Sequence, residues 1–148
     1  MKQQEQAKEQ VLLQKYAQYL GEQPVTGQVE VYKFIDAWWG VPHRLGGNTS
    51  KGVDCSGFVV QFYNQLYGKK VARTTQGLYA DARAVPLRKL KTGDLVFFEL
   101  SSTNKITHVG IYLQNGRFAH ASTSKGVRID DIDDVYYSQK KKHGGRLE

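Results

Sequence analysis

The segment GVDCSGFVVQFYNQLYG, residues 52–68, determines the interpretation of the whole chain. Its apolar residues repeat with the spacing of one helical face and are followed by a glycine: Phe58, Val59, Phe62, Leu66 and Gly68. Asp54 stands directly before this run and is a residue type that favours the N-cap of a helix. The pattern therefore predicts a core-facing helix whose first turn contains Cys55.

Cys55 is the only cysteine among the 148 residues, so no intrachain disulfide can form and the fold must depend on its core. A cysteine at a helix N-terminus is a candidate nucleophile, because the helix dipole and a nearby imidazolium favour the reactive thiolate. The same residue can also be a small buried hydrophobic side chain. The nucleophile interpretation therefore requires a histidine base elsewhere in the chain.

The sequence before this segment predicts two more helices, one within residues 1–20 and one within residues 28–39. Their apolar faces consist of Leu12, Tyr16, Tyr19 and Leu20 in the first and Val31, Ile35 and Trp38 in the second. Glycine and proline follow both helices and end them. We expect residues 1–24 to be an N-terminal helix or linker extension, and residues 25–146 to form one domain.

After residue 70 the pattern changes to short strands with alternating apolar residues. They lie at residues 95–98, 109–113, 118–121 and 127–129. Helices that precede strands in this way favour an α+β fold with an antiparallel sheet. We expect the helix that carries Cys55 to pack on this sheet.

His108 and His120 lie on two consecutive predicted strands, which a hairpin would bring together. Each histidine alone is an ordinary core or surface residue. A nucleophilic cysteine, however, requires a base within hydrogen-bond reach and a third group that fixes the tautomer of that base. The three residues together favour Cys55 as nucleophile, His108 as base and His120 as the orienting residue.

The hairpin loop decides whether this arrangement is possible. A two-residue turn at Asn115 and Gly116 would place the histidines on opposite faces of the sheet. A three-residue loop beginning at Gln114 pairs Gly110 with His120 and puts both histidines on one face as diagonal neighbours. We predict the three-residue loop, or a bulge with the same effect on register.

The composition fits one globular domain, with 40% hydrophobic and 24% charged residues and a net charge of +7. A basic surface attracts anionic polymers. We interpret the cluster Lys140, Lys141 and Lys142 as a solvated tail, and exclude nucleic acid because the aromatic residues coincide with core positions rather than basic ones.

No segment predicts a transmembrane helix. We expect Leu147 and Glu148 to be a remnant of cloning, so that a missing signal sequence says little about location.

Four blocks and one shorter segment occur in the order and approximate spacing of one family between residues 28 and 137. Residues 52–59, GVDCSGFV, resemble the nucleophile motif of the NlpC-type cell-wall peptidases, a papain-like family. Residues 91–98, KTGDLVFF, resemble the next block, residues 108–113, HVGIYL, the general-base block, and residues 118–122, FAHAS, the third-residue block. Residues 73–76, RTTQ, resemble a segment that lines the cleft.

The resemblance implies a papain-like α+β fold and hydrolysis of peptide bonds in bacterial peptidoglycan stem peptides or crosslinks. It assigns catalysis to Cys55, His108 and His120, with neither cofactor nor metal. It implies that Asp54 and Ser56 face the amine side of the substrate, although both also fit a capping or first-turn role. We expect a monomer in the cell envelope, with a lipid anchor in the full-length protein as one possibility.

The substrate cleft is expected to pass Arg73, His43 and Arg44. His43 is a departure, because family members usually carry a tyrosine at this position, which contacts the site. The alternatives to a peptidase are an acyltransferase or amidase on the same scaffold and an inactive module that binds wall peptides. A zinc site is a further alternative, for which the candidate ligands are Cys55, His43, His108 and His120.

Overall fold

The computed structural model describes residues 2–101 and 104–148. The helices are α1 (Lys2–Leu20), α2 (Val29–Trp38), α3 (Cys55–Tyr67), α4 (Thr75–Asp81) and α5 (Val135–Ser138). The strands are β1 (Asn48–Thr49), β2 (Gly52–Val53), β3 (Arg83–Val85), β4 (Leu95–Glu99), β5 (His108–Tyr112), β6 (Arg117–Ser122), β7 (Gly126–Asp131) and β8 (Lys141–Arg146). The predicted α+β class is confirmed.

Six of the strands form an antiparallel sheet in the order β3-β8-β4-β5-β6-β7. One face of this sheet packs against the helices and forms the main core. Its residues include Leu95, Phe97, Val109, Ile111, Ala119, Ala121, Val127 and Ile129. The alternate residues, among them Phe98 and Phe118, form a second apolar cluster on the other face. Helix α3 packs on β5 and β6, as the sequence predicted.

Helix α3 begins and ends at the predicted residues. The Asp54 carboxylate accepts a hydrogen bond of 2.7 Å from the Gly57 amide, which is the side-chain interaction of an N-cap. Gly68 ends the helix with φ of 59°, a left-handed conformation that glycine adopts without strain. The local sequence thus places Cys55 at the first position of the helix.

The β5–β6 hairpin has the predicted three-residue register. Ile111 pairs with Ala119, and the Leu113 amide donates to the Arg117 carbonyl at 2.8 Å, which leaves three residues in the loop. Gly110 makes room for the histidine strand, because a Cβ there would lie 2.7 Å from the Phe118 ring and 3.3 Å from the Cβ of His120. The predicted register, with both histidines on one face of the sheet, is confirmed.

Helix α1 packs against the body of the protein. Tyr16 and Leu20 are fully buried, and the Tyr16 hydroxyl donates to Asp36 at 2.8 Å. Gln114 in the hairpin loop donates to Glu22 at 2.6 Å, just beyond the helix. The boundary at residue 24 stays a prediction. Across the described ranges, no helix combines the length and apolar character that crossing a bilayer requires.

The interpretation of the basic cluster as a tail is wrong, although Lys141 is exposed to solvent. Lys141 and Lys142 lie in β8, which pairs with both β3 and β4 and is therefore an inner strand of the sheet. The strand approaches its neighbour closely, because a Cβ on Gly144 would lie 2.4 Å from the Val85 carbonyl oxygen. Glycines carry no hydrophobic signal, so this strand shows no apolar alternation. Beyond it, Leu147 packs against the main core and Glu148 pairs with Arg83 at 2.6 Å.

Candidate active site

A cleft with a volume of about 730 Å³ lies where the N-terminus of α3 meets the start of β5. Cys55 and His108 line it from these two elements, so the structure brings together the predicted nucleophile and base. His43 and Arg73 also line the cleft. Another cavity of about 740 Å³ lies beside α4 and β8, and none of the predicted site residues lines it.

Cys55 is partly exposed at the start of α3, with its Sγ atom 3.5 Å from the Oγ1 atom of Thr75. Thr75 is buried and begins α4, whose N-cap is Thr74. Thr75 lies within the RTTQ block but was not among the predicted site residues. The only local signal was that this threonine directly follows the N-cap of α4. That signal does not show that the start of α4 faces the start of α3.

Asp54 and Ser56 line the cleft and form a hydrogen-bonded network with Arg73. The Arg73 guanidinium donates to both Asp54 oxygens at 3.1 and 3.3 Å and to the Ser56 hydroxyl at 2.9 Å. The Asp54 carboxylate also accepts from the amides of Gly57 and Gly46. Burial alone would raise the pKa of Asp54, but these hydrogen bonds together lower it. Protein donors therefore occupy both carboxylate oxygens.

His108 and His120 are in direct contact. His108 Nε2 and His120 Nδ1 are 2.7 Å apart, and the exposed fractions of the two residues are 4% and 0%. Burial lowers the pKa of His108 well below its usual value, with His120 and His43 as further causes. Burial also lowers the pKa of His120, partly offset by a neighbouring aspartate. Both rings are therefore neutral at neutral pH.

The aspartate is Asp130, which was not among the predicted site residues. Its Oδ2 atom lies 2.7 Å from His120 Nε2, and its Oδ1 atom lies 3.1 Å from the Arg128 guanidinium. The rings of Phe118 and Tyr137 enclose His120, with centroid distances of 4.5 and 5.7 Å. The residue types of β7 were known, but its pairing with β6 was not, and that pairing is what places Asp130 beside His120.

The loop before α3 contributes unevenly to the cleft. His43 is half-buried, lines the cleft, and lies close enough to His108 to affect its pKa. Arg44 is exposed and is absent from the described lining of the cleft, because its side chain packs over Gly52. Leu45, with 90% exposure, lines the cleft instead. At this part of the loop the cleft is therefore lined by the apolar Leu45 rather than by the predicted basic residue, Arg44.

The histidine rings leave few free ligand atoms, because His120 engages one ring nitrogen with His108 and the other with Asp130. Within residues 2–101 and 104–148, no three His, Cys, Asp or Glu side chains are grouped as metal ligands would be.

Comparison with known proteins gives the family. "Murein DD-endopeptidase MepS/Murein LD-carboxypeptidase" of Escherichia coli strain K12 is 42% identical over 110 residues, which cover 74% of this chain and 57% of that protein. "Probable endopeptidase NlpC" of the same strain is 42% identical over 105 residues, which cover 71% of this chain and 68% of that protein. This chain therefore spans only part of the relatives that it matches.

A solved structure of an NLP/P60 family protein from Staphylococcus aureus, described as similar to lipoprotein, has a TM-score of 0.69 at 27% identity. The match covers 80% of this chain and 40% of that one. The predicted papain-like architecture is thereby confirmed. The sequence profile of the NlpC/P60 family matches residues 40–146, which include the complete cleft. The chain belongs to the NlpC/P60 family.

Proposed function

We propose that the protein is a cysteine endopeptidase that hydrolyses peptide bonds in bacterial peptidoglycan stem peptides or crosslinks. The observation that carries the proposal is the shared cleft of Cys55 and His108, with His120 hydrogen-bonded behind the base. The names of the relatives support the substrate class, since both describe endopeptidases and one names murein. The site of action would then be the cell envelope, where peptidoglycan lies.

The reaction would begin when His108 takes the Cys55 thiol proton. Its Nε2 atom is engaged with His120, so Nδ1 is the nitrogen left for this transfer. The thiolate then attacks the scissile carbonyl, and the Cys55 amide, at the first position of α3, can donate to the resulting oxyanion. His108 returns the proton to the leaving amine. Water next hydrolyses the thioester and regenerates the thiol.

In this scheme Thr75 stabilises the activated nucleophile. Its hydroxyl lies 3.5 Å from Sγ and can donate to the thiolate once the proton has left. We expect His43, which stands where family members usually carry a tyrosine, to contact the substrate, because it lines the same cleft as His108.

The roles that we propose on the substrate side follow from the network of Asp54, Ser56 and Arg73. Asp54, Ser56 and Arg73 all line the cleft, yet Asp54 and Ser56 are bound to the arginine. We therefore expect Asp54 and Ser56 to act mainly by holding Arg73 and the helix start. The guanidinium, whose side chain is 38% exposed, is then the group of this network that can reach a substrate carboxylate.

The decisive experiment is digestion of purified muropeptides, with mass spectrometry of the products. We expect cleavage at one peptide bond by the wild type and a loss on the order of 10⁴ to 10⁶ in kcat for Cys55→Ala. The variant should keep the wild-type Tm, because it removes only a partly exposed sulfur.

The possible outcomes separate the alternatives. Binding of muropeptides without product would indicate the inactive wall-peptide module. Transfer of the acyl group to an added amine in place of water would indicate the acyltransferase. Loss of activity with a chelator but not with an alkylating agent would favour the zinc alternative.

A further inference from the structure

We propose that Asp130 is a fourth, positioning residue of this site, which sets the tautomers of both histidines and so makes His108 a base toward Cys55. The inference builds on the proposed function. It starts from three strands that lie side by side in the sheet, β5, β6 and β7.

The sheet register aligns the three side chains as a diagonal series. His120 pairs directly with Arg128, so Asp130, two residues further along β7, is its diagonal neighbour. His108 on β5 is the corresponding diagonal neighbour of His120 on the other side, as the hairpin register requires. The resulting contacts are 2.7 Å from His108 to His120 and 2.7 Å from His120 to Asp130.

The direction of hydrogen bonding in this series follows from Asp130. An ionised carboxylate only accepts hydrogen bonds, so His120 must carry its proton on Nε2 and donate it to Asp130. Because a neutral ring has one N–H, His120 Nδ1 is then an acceptor, and His108 must donate from Nε2. The His108 Nδ1 lone pair remains free for the thiol proton.

The reversed pattern is unfavourable. It would protonate His108 at Nδ1 and His120 at Nδ1, and would set an unprotonated His120 nitrogen against the Asp130 carboxylate at 2.7 Å. Two acceptors at that distance repel each other in a buried site. Burial keeps both rings neutral, so a second proton does not resolve the conflict at neutral pH.

Arg128 makes a sharp test possible. Its guanidinium donates to Asp130 Oδ1 at 3.1 Å and has no acceptor atom. In Asp130→Asn the amide oxygen should therefore turn toward Arg128, and the NH₂ group toward His120. That orientation makes His120 Nε2 an acceptor and imposes the reversed tautomers on both histidines.

The experiment compares four variants by kcat/KM on muropeptides and by ¹⁵N chemical shifts of the histidine rings. Asp130→Asn should lose about 10- to 100-fold in kcat/KM, the range for residues that orient a functional histidine by a hydrogen bond. It should also move the His108 proton from Nε2 to Nδ1. Arg128→Met combined with Asp130→Asn frees the amide to turn its oxygen toward His120. This double variant should be more active than Asp130→Asn alone and recover the wild-type tautomer. Arg128→Met alone provides its reference.

Asp131→Asn is the matched control, because it removes the same charge at the adjacent position. Asp131 pairs with Arg117 instead of a histidine. It should keep the wild-type tautomers and activity. The proposal is overturned if Asp130→Asn leaves the tautomers unchanged or retains wild-type kcat/KM, or if the double variant is no more active than Asp130→Asn. The ring shifts test Asp130 even if the wild type cleaves no muropeptide, so failure of the two proposals can be told apart.

Discussion

The two sides of the cleft are held in place by different kinds of interaction. On the nucleophile side, an N-cap and an arginine that is 38% exposed fix the start of α3. On the histidine side, the rings of His108 and His120 are buried, and side chains from three strands hold them. The nucleophile side therefore depends on local backbone structure and tolerates solvent, whereas the histidine side depends on strand register and the exclusion of water.

Apart from the loss of Cys55 itself, replacing the histidines should give the largest effect, because that side contains the base. His108→Ala should lose the most kcat/KM, since it removes the proton acceptor. His120→Ala should lose less, and His120→Asn least, because an amide oxygen can still accept from His108 Nε2. Steady-state kinetics on muropeptides measures the order, with thermal unfolding as the check on folding. Equal losses in all three variants would contradict the assigned roles.

The pH dependence of the unfolding free energy should distinguish the two sides of the cleft, because each side loses stability in a different pH range. The pKa of His108 and that of His120 lie below the ordinary value of 6.5, so the unfolded state takes up protons first as the pH falls through 6.5. The histidine side therefore loses stability from about pH 6.5 downward. The pKa of Asp54 lies below 3.8, so its contribution is present above that value and is lost at lower pH.

Urea unfolding across this pH range measures both windows. His108→Gln should flatten the decline that begins at 6.5, and Asp54→Asn should alter only the decline below 3.8. The charged or titratable side chains that face the two rings are His43, Tyr137, Asp130 and Arg128, so Asp131→Asn serves as a control outside them. An unfolding free energy independent of pH between the two values would contradict the buried neutral state. The activity, in contrast to the stability, should persist below pH 6.5. His108 acts as a base only when it is neutral, and its pKa lies well below that value.

Arg73→Met should affect the nucleophile side, with a smaller effect than loss of a catalytic group. It leaves the buried Asp54 carboxylate without its charged partner. We expect a loss of about 1–2 kcal/mol in unfolding free energy, at the low end for charged hydrogen bonds because the arginine is partly exposed. Arg73→Met with Asp54→Asn should lose less than the sum of the single variants, since the amide needs no counter-charge. Strict additivity would show that the pair is not coupled.

The contrast between the sides also explains what the sequence could predict. Asp54 caps α3 through Gly57, three positions away, so a local pattern was sufficient for the nucleophile. The hairpin register was predictable because only one loop length put both histidines on one face. Asp130 was missed because its partner lies ten positions away on another strand, and β7 alone fixes no register. Strand β8 was missed because glycines at the point of closest approach carry no apolar signal.

Arg44→Glu should have the smallest effect, because Arg44 is exposed and packs over Gly52 outside the described lining of the cleft. A charge outside the cleft acts on an acidic substrate mainly through long-range attraction, which salt screens. The variant should therefore raise KM a few-fold at low ionic strength, leave kcat nearly unchanged, and approach wild type at high salt. Leu45→Ser is the matched change at the adjacent position that lines the cleft, and its effect on KM should not depend on salt. A change in kcat alone for Arg44→Glu would instead place this residue in the chemistry or the fold.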